Sequence, residues 1–369
     1  MNNAYISLGS NQGQRLKNIQ DAVVQIQKNI GPLVDLSSCY KTAAWGFEGP
    51  YFINACIAIQ TVFSPQEVLQ KLLQIETGLG RKKATGSGYI SRKIDLDLLF
   101  YEDFIISDDH LNLPHPRLEE RNFVLLPLCE MNPNLIHPVF NCPLNDLLHR
   151  CKDPDVPEKM PMKTWTPDLF DQDQYIIFEG NIGVGKTSLA QKIGQDFKVP
   201  ILLENFSKNP YLEKFYEQPD RYASPLEFYF LEDRFKQFND FYTNPNTSKK
   251  VVSDHSFFKS LVFAKINLSV KDYEGFKKKY ERLSAQLDLP QKVIFLQQSL
   301  DQLKVNIQIR GRAYEQNMDL DYLKKIDNGY RDFLENEMTV PYCSIDLTAL
   351  DFIKNEKAYQ LILQRIKAF

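Results

Sequence analysis

The 369-residue sequence predicts two domains of different class, an α+β sandwich followed by an α/β domain with a doubly wound parallel sheet. Three observations carry this prediction. The chain is longer than one ordinary core organises. Up to about residue 150, short apolar strands are mixed with two helical periodicities, whereas beyond about residue 174 strand and helix alternate regularly. Between them, residues 151–174 hold Pro154, Pro157, Pro161 and Pro167 among charged groups, the composition of a linker. The expected division is 1–158 for the first domain, 159–173 for the linker and 174–369 for the second.

Composition restricts the functional classes. Hydrophobic content of 43% with 25% charged residues is that of a soluble globular protein. No apolar run is long enough to span a bilayer, and Met1-Asn-Asn-Ala-Tyr-Ile6 lacks the features of a signal peptide. A net charge of −3 gives no electrostatic case for nucleic acid. The six cysteines form no C-x-x-C pair and read as reduced thiols. A cytoplasmic protein acting on small molecules is expected, without nucleic-acid or membrane partners.

In the first half, Tyr5–Leu8 reads as a strand ending in Gly9-Ser-Asn-Gln-Gly13, and Leu16–Ile30 shows helical spacing. Ser37–Tyr40 and Phe52–Val62 read as strands. Pro65 opens a helix ending near Gly78 or Gly80, and Lys93–Phe100 is a further strand. Within Arg92-Lys-Ile-Asp-Leu-Asp97, alternation places Asp95 and Asp97 on one face of a strand. Two adjacent carboxylates repel, and oxygen ligands without His or Cys favour Mg²⁺ as the compensating ion. The alternative is an edge strand blunted by charge. Glu76, Arg81, Lys82, Lys83, Arg92, His115, Arg117 and Arg121 surround the pair in sequence, and bases beside paired carboxylates suit a metal-bound polyphosphate.

Residues 4 to about 150 resemble the 6-hydroxymethyl-7,8-dihydropterin pyrophosphokinases. The matching pieces are Ala4–Asn11, Tyr40-Lys-Thr42, Phe52–Ala55, Ile75-Glu76 with Gly80-Arg81, Arg92–Asp97, Pro114-His115 and Arg121–Leu128. The resemblance implies a ferredoxin-like fold and transfer of pyrophosphate from ATP to a pterin alcohol. It implies Mg²⁺ held by Asp95 and Asp97, with Arg81 and Arg92 closing over the phosphates and His115 and Arg121 holding ATP. Asn54 would hydrogen-bond the pterin, Phe123 would stack on it, and Thr42 and Trp45 would border the pocket. A flat polar heterocycle needs such an aromatic platform and an amide with donor and acceptor.

The second half opens with the strand Tyr175–Glu179 and then Gly180-Asn181-Ile182-Gly183-Val184-Gly185-Lys186-Thr187-Ser188. This G-x-x-x-x-G-K-T run between a strand and a helix is a phosphate-binding P-loop. Its glycines let backbone N–H groups approach phosphate oxygens, Lys186 reaches the outer phosphates, and the Thr187 hydroxyl suits Mg²⁺. Two short strands, Val199–Glu204 and Lys250–His255, each lead to an acid. At the carboxyl ends of a parallel sheet, Glu204 and Asp254 point toward the P-loop. Helices are expected over Leu226–Phe241, Phe257–Leu268 and Phe276–Leu287, then a strand over Lys292–Leu296 and a helix from Leu300 into Arg310-Gly-Arg312. That basic pair reads as a lid that clamps transferring phosphates, or as a helix end favoured by the dipole. No Asn-Lys-x-Asp run is present, which weighs against a GTPase.

Residues from about 174 onward resemble the deoxyribonucleoside kinases, most closely the bacterial purine type. The similarity lies in the P-loop, Leu203-Glu204, Asn209-Pro-Tyr-Leu, Phe215–Tyr222, Glu227–Arg234, Ser253-Asp-His-Ser256 and Ile309–Glu315. It implies that Glu204 is the base beside the sugar 5′-hydroxyl and that Tyr216 and Glu315 hold the 3′-hydroxyl. Glu227 would face the nucleobase with Arg234 beside it, Arg310 and Arg312 would form the lid, and Asp254 would support Mg²⁺ or the base. Two departures stand out. His255 replaces the arginine of the family's acid-Arg-Ser run, and Glu227 stands where many relatives carry Gln. An ionised Glu227 accepts only, which favours bases with an exocyclic amine and points to deoxyadenosine.

The expected protein is therefore a bifunctional, ATP- and Mg²⁺-dependent enzyme. Its substrates would be hydroxymethyldihydropterin and a deoxynucleoside, and a homodimer through the second domain is implied by the second resemblance. The alternatives are that one half is a silent docking or dimerisation module, or that the second half phosphorylates another small metabolite.

Overall fold

The computed structural model describes residues 1–44, 48–81, 91–170, 175–244, 250–287, 292–316 and 318–369. The chain forms two units, Met1–Leu169 together with Lys354–Phe369, and Phe170–Ile353. The first unit is therefore discontinuous in sequence.

The first unit contains β1 (Asn2–Ser10), α1 (Arg15–Asn29), β2 (Leu33–Leu36), β3 (Tyr40–Thr42), β4 (Phe52–Thr61), α2 (Pro65–Gly78) and β5 (Asp95–Tyr101). Two short hairpins, β6 (Ile106–Ser107) with β7 (Asn112–Leu113) and β8 (Ile136–His137) with β9 (Cys142–Pro143), flank α3 (Asn122–Met131), and α4 (Leu144–Arg150) follows. β1 lies between β4 and β5, antiparallel to both, and β4 pairs in turn with β2 and β3. β4 is buried along nearly its whole length, as a strand covered on both faces must be. Val124, Leu125, Leu128, Leu144 and Leu147 pack with Cys56. α2 starts where its sequence says it should. Ser64 and Glu67 form a reciprocal capping box, and Pro65 sits in the first turn, where no N–H is missed.

Two features differ from the sequence-based expectation. The strand expected over Ser37–Tyr40 falls between β2 and β3. Here the Ser37 hydroxyl accepts from the Cys56 N–H, while Ser38 donates through both backbone and hydroxyl to Glu130, so side chains replace part of the ladder. The proline-rich stretch expected as a linker over 159–173 is packed up to Leu169. β10 (Glu158–Lys159) pairs with β3, and the turn Met162–Trp165 buries Trp165 completely, with its indole N–H donating to the Ser37 carbonyl at 2.7 Å.

That turn is covered by α12 (Glu356–Ala368), which packs on α1 and β2 rather than within the second unit. Gln364 donates to the Trp165 carbonyl, and its backbone carbonyl accepts from Gln27 at 3.1 Å. Arg365 donates to the Leu33 carbonyl at 3.0 Å, and Lys357 pairs with Asp35 at 2.6 Å.

The second unit holds β11 (Tyr175–Gly180), α5 (Lys186–Phe197), β12 (Ile201–Leu202), α6 (Leu212–Glu217), α7 (Pro219–Thr243), β13 (Val251–Ser253), α8 (Lys259–Asn267) and α9 (Val270–Ser284). It continues with β14 (Lys292–Gln297), α10 (Leu300–Arg310), α11 (Leu320–Asn336) and β15 (Tyr342–Asp346). The sheet is parallel, in the order β12-β13-β11-β14-β15, a two-sided parallel architecture that fits a P-loop kinase. Chain order reverses direction at β11, so its carboxyl end is the switch point at which such sheets bind ligands. Tyr175–Gly180 is buried throughout. Among the described residues, no helix is long and apolar enough to cross a membrane.

Deleting residues 354–369 removes Tyr359, Leu361, Ile362, Leu363 and Ile366 from the first unit's core. At about 1.5–3 kcal/mol per buried side chain, the loss exceeds what a domain of this size tolerates. The first unit's thermal transition is expected to fall by more than about 10 °C, read by calorimetry on the chain ending at Ile353.

Candidate active sites

In the first unit, β1 and β5 set the two carboxylates, because Gly9 pairs with Asp95 and Ser7 with Asp97. Asp95 and Asp97 project on one side of β5 while Leu96 and Leu98 are buried on the other. Asp95 accepts from Arg92, and Arg81 approaches the same oxygen at 3.1 Å. Arg81 also binds Glu76, which in addition accepts from the Leu96 N–H at 2.8 Å. Burial pushes the Glu76 carboxyl up to about 7, against the pull of the Leu96 N–H and Arg81. Asp97 is raised by burial and then by Asp95, while His115 and Arg121 oppose the shift. His115 Nε2 stands 3.9 Å from Asp97, and burial lowers the imidazole's pKa despite that carboxylate. Two repelling carboxylates are oxygen donors whose chemistry suits a divalent cation, while no cluster of three or more His, Cys, Asp or Glu ligands occurs among the described residues.

Beside this cluster lies the Thr42–Asn54 pair. Asn54 donates to the Thr42 hydroxyl at 2.8 Å, both being buried. A Cβ on Gly9 would meet Asn54 Oδ1 at 2.8 Å, so the glycine leaves room for the amide. Phe123 is partly buried at the start of α3, with the Arg121 guanidinium 5.8 Å from its ring centre. Trp45 lies outside the described residues.

In the second unit, Gly180, Gly183 and Gly185 all take positive φ, and α5 begins at Lys186. At Gly180 a Cβ would stand 2.3 Å from the Leu296 carbonyl oxygen, where β14 approaches. Ile182, Gly183, Lys186 and Thr187 line a pocket with Glu204, Tyr216, Glu227, Arg234, Asp254, Arg310, Arg312 and Glu315, so the substrate and lid residues expected from the sequence converge on the P-loop. Asn181 donates to the Leu323 carbonyl, Val184 is buried, and Ser188 lies in the first turn of α5. Lys186 donates to the Gly180 and Asn181 carbonyls, and burial followed by the charge of Lys259 lowers its ammonium to about 8.

Glu204 is the hub of the polar floor. Its Oε1 accepts from Arg234 Nε at 2.9 Å and Nη2 at 2.6 Å, and its Oε2 accepts from Lys259 Nζ at 2.7 Å. Burial favours the neutral acid, but the Lys259 and Arg234 cations outweigh it and hold the carboxyl well below its usual range. Asp254 accepts from the Thr187 hydroxyl at 2.6 Å and from the Glu204 N–H at 2.9 Å. Arg234 is bound to Glu204 and to the Ser260 hydroxyl at 2.7 Å, and lines the pocket together with Glu227. His255 is fully buried, 3.1 Å from Asp254 Oδ1 and packed on Phe238, and is not among the pocket's lining residues.

The far end of the pocket is lined by Glu227, Asn267 and Tyr322. Asn267 donates to Glu227 Oε1 at 2.7 Å, and Tyr322 donates to Asn267 Oδ1 at 3.2 Å. Glu227 Oε2 is buried without a hydrogen-bond partner among the described residues. Burial raises this carboxyl to about 7, against Arg234 and Asn267. Burial thus favours the acid form of Glu227, which both donates and accepts, over the ionised acceptor considered from the sequence. Arg310 and Arg312 flank Gly311, which caps α10 in the left-handed region, and both arginines bind Glu315. Tyr216 stacks on Tyr314.

Sequence reasoning passed over Asn11, whose side-chain carbonyl accepts from the Arg92 N–H at 2.6 Å and so fixes that arginine's segment. It also passed over Lys259 and Asn267, single residues on α8 with no motif of their own.

Comparison with known proteins also finds two parts, although the second match includes Lys354–Phe369, which pack in the first unit. The family model described as deoxynucleoside kinase matches residues 176–369, and that described as 7,8-dihydro-6-hydroxymethylpterin-pyrophosphokinase matches residues 5–133. A deoxyguanosine kinase of Bacillus subtilis is 32% identical over 200 residues, covering 52% of this chain and 96% of that protein. A 2-amino-4-hydroxy-6-hydroxymethyldihydropteridine pyrophosphokinase of Aquifex aeolicus is 38% identical over 147 residues, covering 40% of this chain and 90% of that protein. A solved structure of deoxyadenosine kinase from M. mycoides with bound dATP covers 52% of this chain and 99% of its own, at 23% identity and a TM-score of 0.47.

Gly180→Ala is expected to destabilise the second unit by about 2 kcal/mol or more and to abolish its nucleotide binding, because both the φ of 138° and the Leu296 carbonyl exclude a Cβ. Gly275→Ala, within α9 and with nothing near its Cβ, is the control and gains about 0.5–1 kcal/mol. Thermal unfolding and titration with a fluorescent ATP analogue distinguish the two.

Proposed function

The chain belongs to two families at once, the 7,8-dihydro-6-hydroxymethylpterin pyrophosphokinases through residues 5–133 and the deoxynucleoside kinases through residues 176–369, and we propose that its halves break different bonds of ATP. In the first, the pterin alcohol attacks the β-phosphorus and AMP leaves. In the second, a deoxynucleoside 5′-hydroxyl attacks the γ-phosphorus and ADP leaves. The observation that carries this reading is the convergence, in separate units, of Asp95/Asp97 with Arg81, Arg92 and His115, and of the P-loop with Glu204, Arg310 and Arg312.

For the first unit, the order β1-α1-β2/β4-α2-β5, with β1 and β4 central, supports a ferredoxin-like fold. Asp95 and Asp97 would hold Mg²⁺, which draws charge from the phosphates when bound. Arg81 and Arg92 leave Glu76 and Asp95 for the phosphate oxygens, and His115 and Arg121 contact the nucleotide. The Asn54 amide reads the pterin's donor and acceptor edge, and the Phe123 ring packs on its face.

For the second unit, Thr187 and Asp254 would hold Mg²⁺ with the phosphates. The P-loop N–H groups and Lys186 cradle the phosphates, and Arg310 and Arg312 turn from Glu315 to the transferring group. Glu204, kept ionised by its cations, receives the 5′-hydroxyl proton. Tyr216 and Glu315 bind the 3′-hydroxyl. At the base, neutral Glu227 donates through its Oε2 hydroxyl to N1 of adenine and accepts from N6–H through the second lone pair of Oε1; the ionised form matches the N1–H and N2–H edge of guanine. Deoxyadenosine is the substrate this chemistry favours at and below neutral pH. A cytoplasmic location and a dimer through the second unit belong to the proposal on family grounds alone.

Incubation with ATP and the pterin is expected to release AMP, and Asp95→Ala to lower that rate at least about 100-fold while ADP release with a deoxynucleoside is unchanged. No AMP from the wild-type chain would sink the first assignment; no ADP with any deoxynucleoside would sink the second. Between pH 6 and 8, the ratio of deoxyadenosine to deoxyguanosine kcat/KM is expected to fall about tenfold or more as Glu227 ionises, and Glu227→Gln to remove that dependence.

A further inference from the structure

We propose that Lys259 is a catalytic residue of the second unit, the cation that holds Glu204 before attack and then faces the γ-phosphoryl group during transfer. The inference rests on the deoxynucleoside kinase reading and adds a residue that the motifs do not contain.

Four observations point to it. Lys259 opens α8 and is buried, yet its ammonium lines the pocket together with Lys186, Thr187 and Arg310. It donates to Glu204 Oε2 at 2.7 Å, its one hydrogen bond through Nζ among the described residues, which leaves two N–H groups for another acceptor. Glu204, which it holds, donates its backbone N–H to Asp254, and Asp254 accepts from the P-loop Thr187 hydroxyl, so the ammonium sits on the carboxylate next to the phosphate-binding loop. Arg234, the other cation on Glu204, is tied down at every nitrogen. Its Nε and Nη2 are both on Oε1 and its Nη1 is on the Ser260 hydroxyl, so its planar fork has to break several bonds to change partner, whereas Lys259 breaks one.

The fourth observation is His255. The acid-x-Ser run at Asp254–Ser256 carries His255, whose ring is completely buried between Asp254, 3.1 Å away, and Phe238, and does not itself line the pocket. The cation that does line the pocket from this part of the chain is Lys259, at the start of the next helix. The step balances without another reactant. The 5′-oxygen forms a bond to the γ-phosphorus, and the bond from that phosphorus to the β,γ-bridging oxygen breaks, its electron pair leaving with ADP. The hydroxyl proton passes to Glu204. Once protonated, Glu204 no longer attracts the ammonium, and Lys259 turns its donors to the equatorial oxygens where negative charge is spread.

The test uses the full chain with ATP and its preferred deoxynucleoside. Lys259→Met is expected to lower kcat for ADP release about 100-fold or more with KM values within about threefold of wild type, and Lys259→Arg to recover at least about tenfold of that loss. AMP release by the first unit and the thermal transitions check folding. Should Lys259→Met melt low, Lys259→Gln, which keeps a donor without the charge, decides in its place: a lowered kcat supports the proposal, a wild-type kcat overturns it. Wild-type kcat in Lys259→Met, or a loss that Lys259→Arg does not recover while KM rises in step, also overturns it and leaves the kinase reading intact. A wild-type chain that releases no ADP with any deoxynucleoside removes both.

Discussion

A carboxylate withdrawn from water has to be compensated, and both units of this chain are built around meeting that requirement at strand ends. Asp95, with Glu76 behind it, is met by Arg81 and Arg92; Glu204 is met by Arg234 and Lys259. An unpaired buried charge costs several kcal/mol, so these pairs constrain where the neighbouring loops and helices lie. Arg81 connects the end of α2 to β5, and Arg234 connects α7 to the segment after β12. These charge pairs thus hold together the elements that carry them.

The two solutions differ in the cations chosen. The first unit relies on arginines, whose planar forks fit carboxylate and phosphate alike and can exchange one for the other. The second assigns a committed arginine fork to one oxygen of Glu204 and a lysine point charge to the other. A lysine on a flexible stem can change partner with little rearrangement, which suits a group that must act within one turnover. In the second unit the positive-φ glycines of the P-loop lie at the switch point of the sheet, where backbone N–H groups suit phosphate oxygens.

Much of this was legible because it is local in sequence. The P-loop between strand and helix, the alternating Asp95 and Asp97, and the Ser64–Glu67 capping box each express their physics within a few residues. Lys259 does not. A lone lysine at a helix start looks like a solvated charge, and only its distance to Glu204 distinguishes it; the available signal was indirect, a histidine where a cation was expected. Glu227 could be placed but not its protonation, which depends on burial by distant elements. Prolines at 154, 157, 161 and 167 suggested an open linker because composition does not report that Trp165 finds a hydrogen-bond acceptor at Ser37 and a cover in α12. Distant pairing of this kind leaves no trace in a window of sequence.

The discontinuity of the first unit has a consequence for biosynthesis. A ribosome delivers residues 1–169 long before 354–369, so the apolar faces of α1 and β2 and the Trp165 turn must wait through the synthesis of the whole second unit for their final cover. During that interval the second unit can emerge and fold, while the surfaces that α12 covers in the earlier one stay uncovered. The half that starts first is finished last, and a premature stop codon late in the message therefore strikes the beginning of the protein as well as its end.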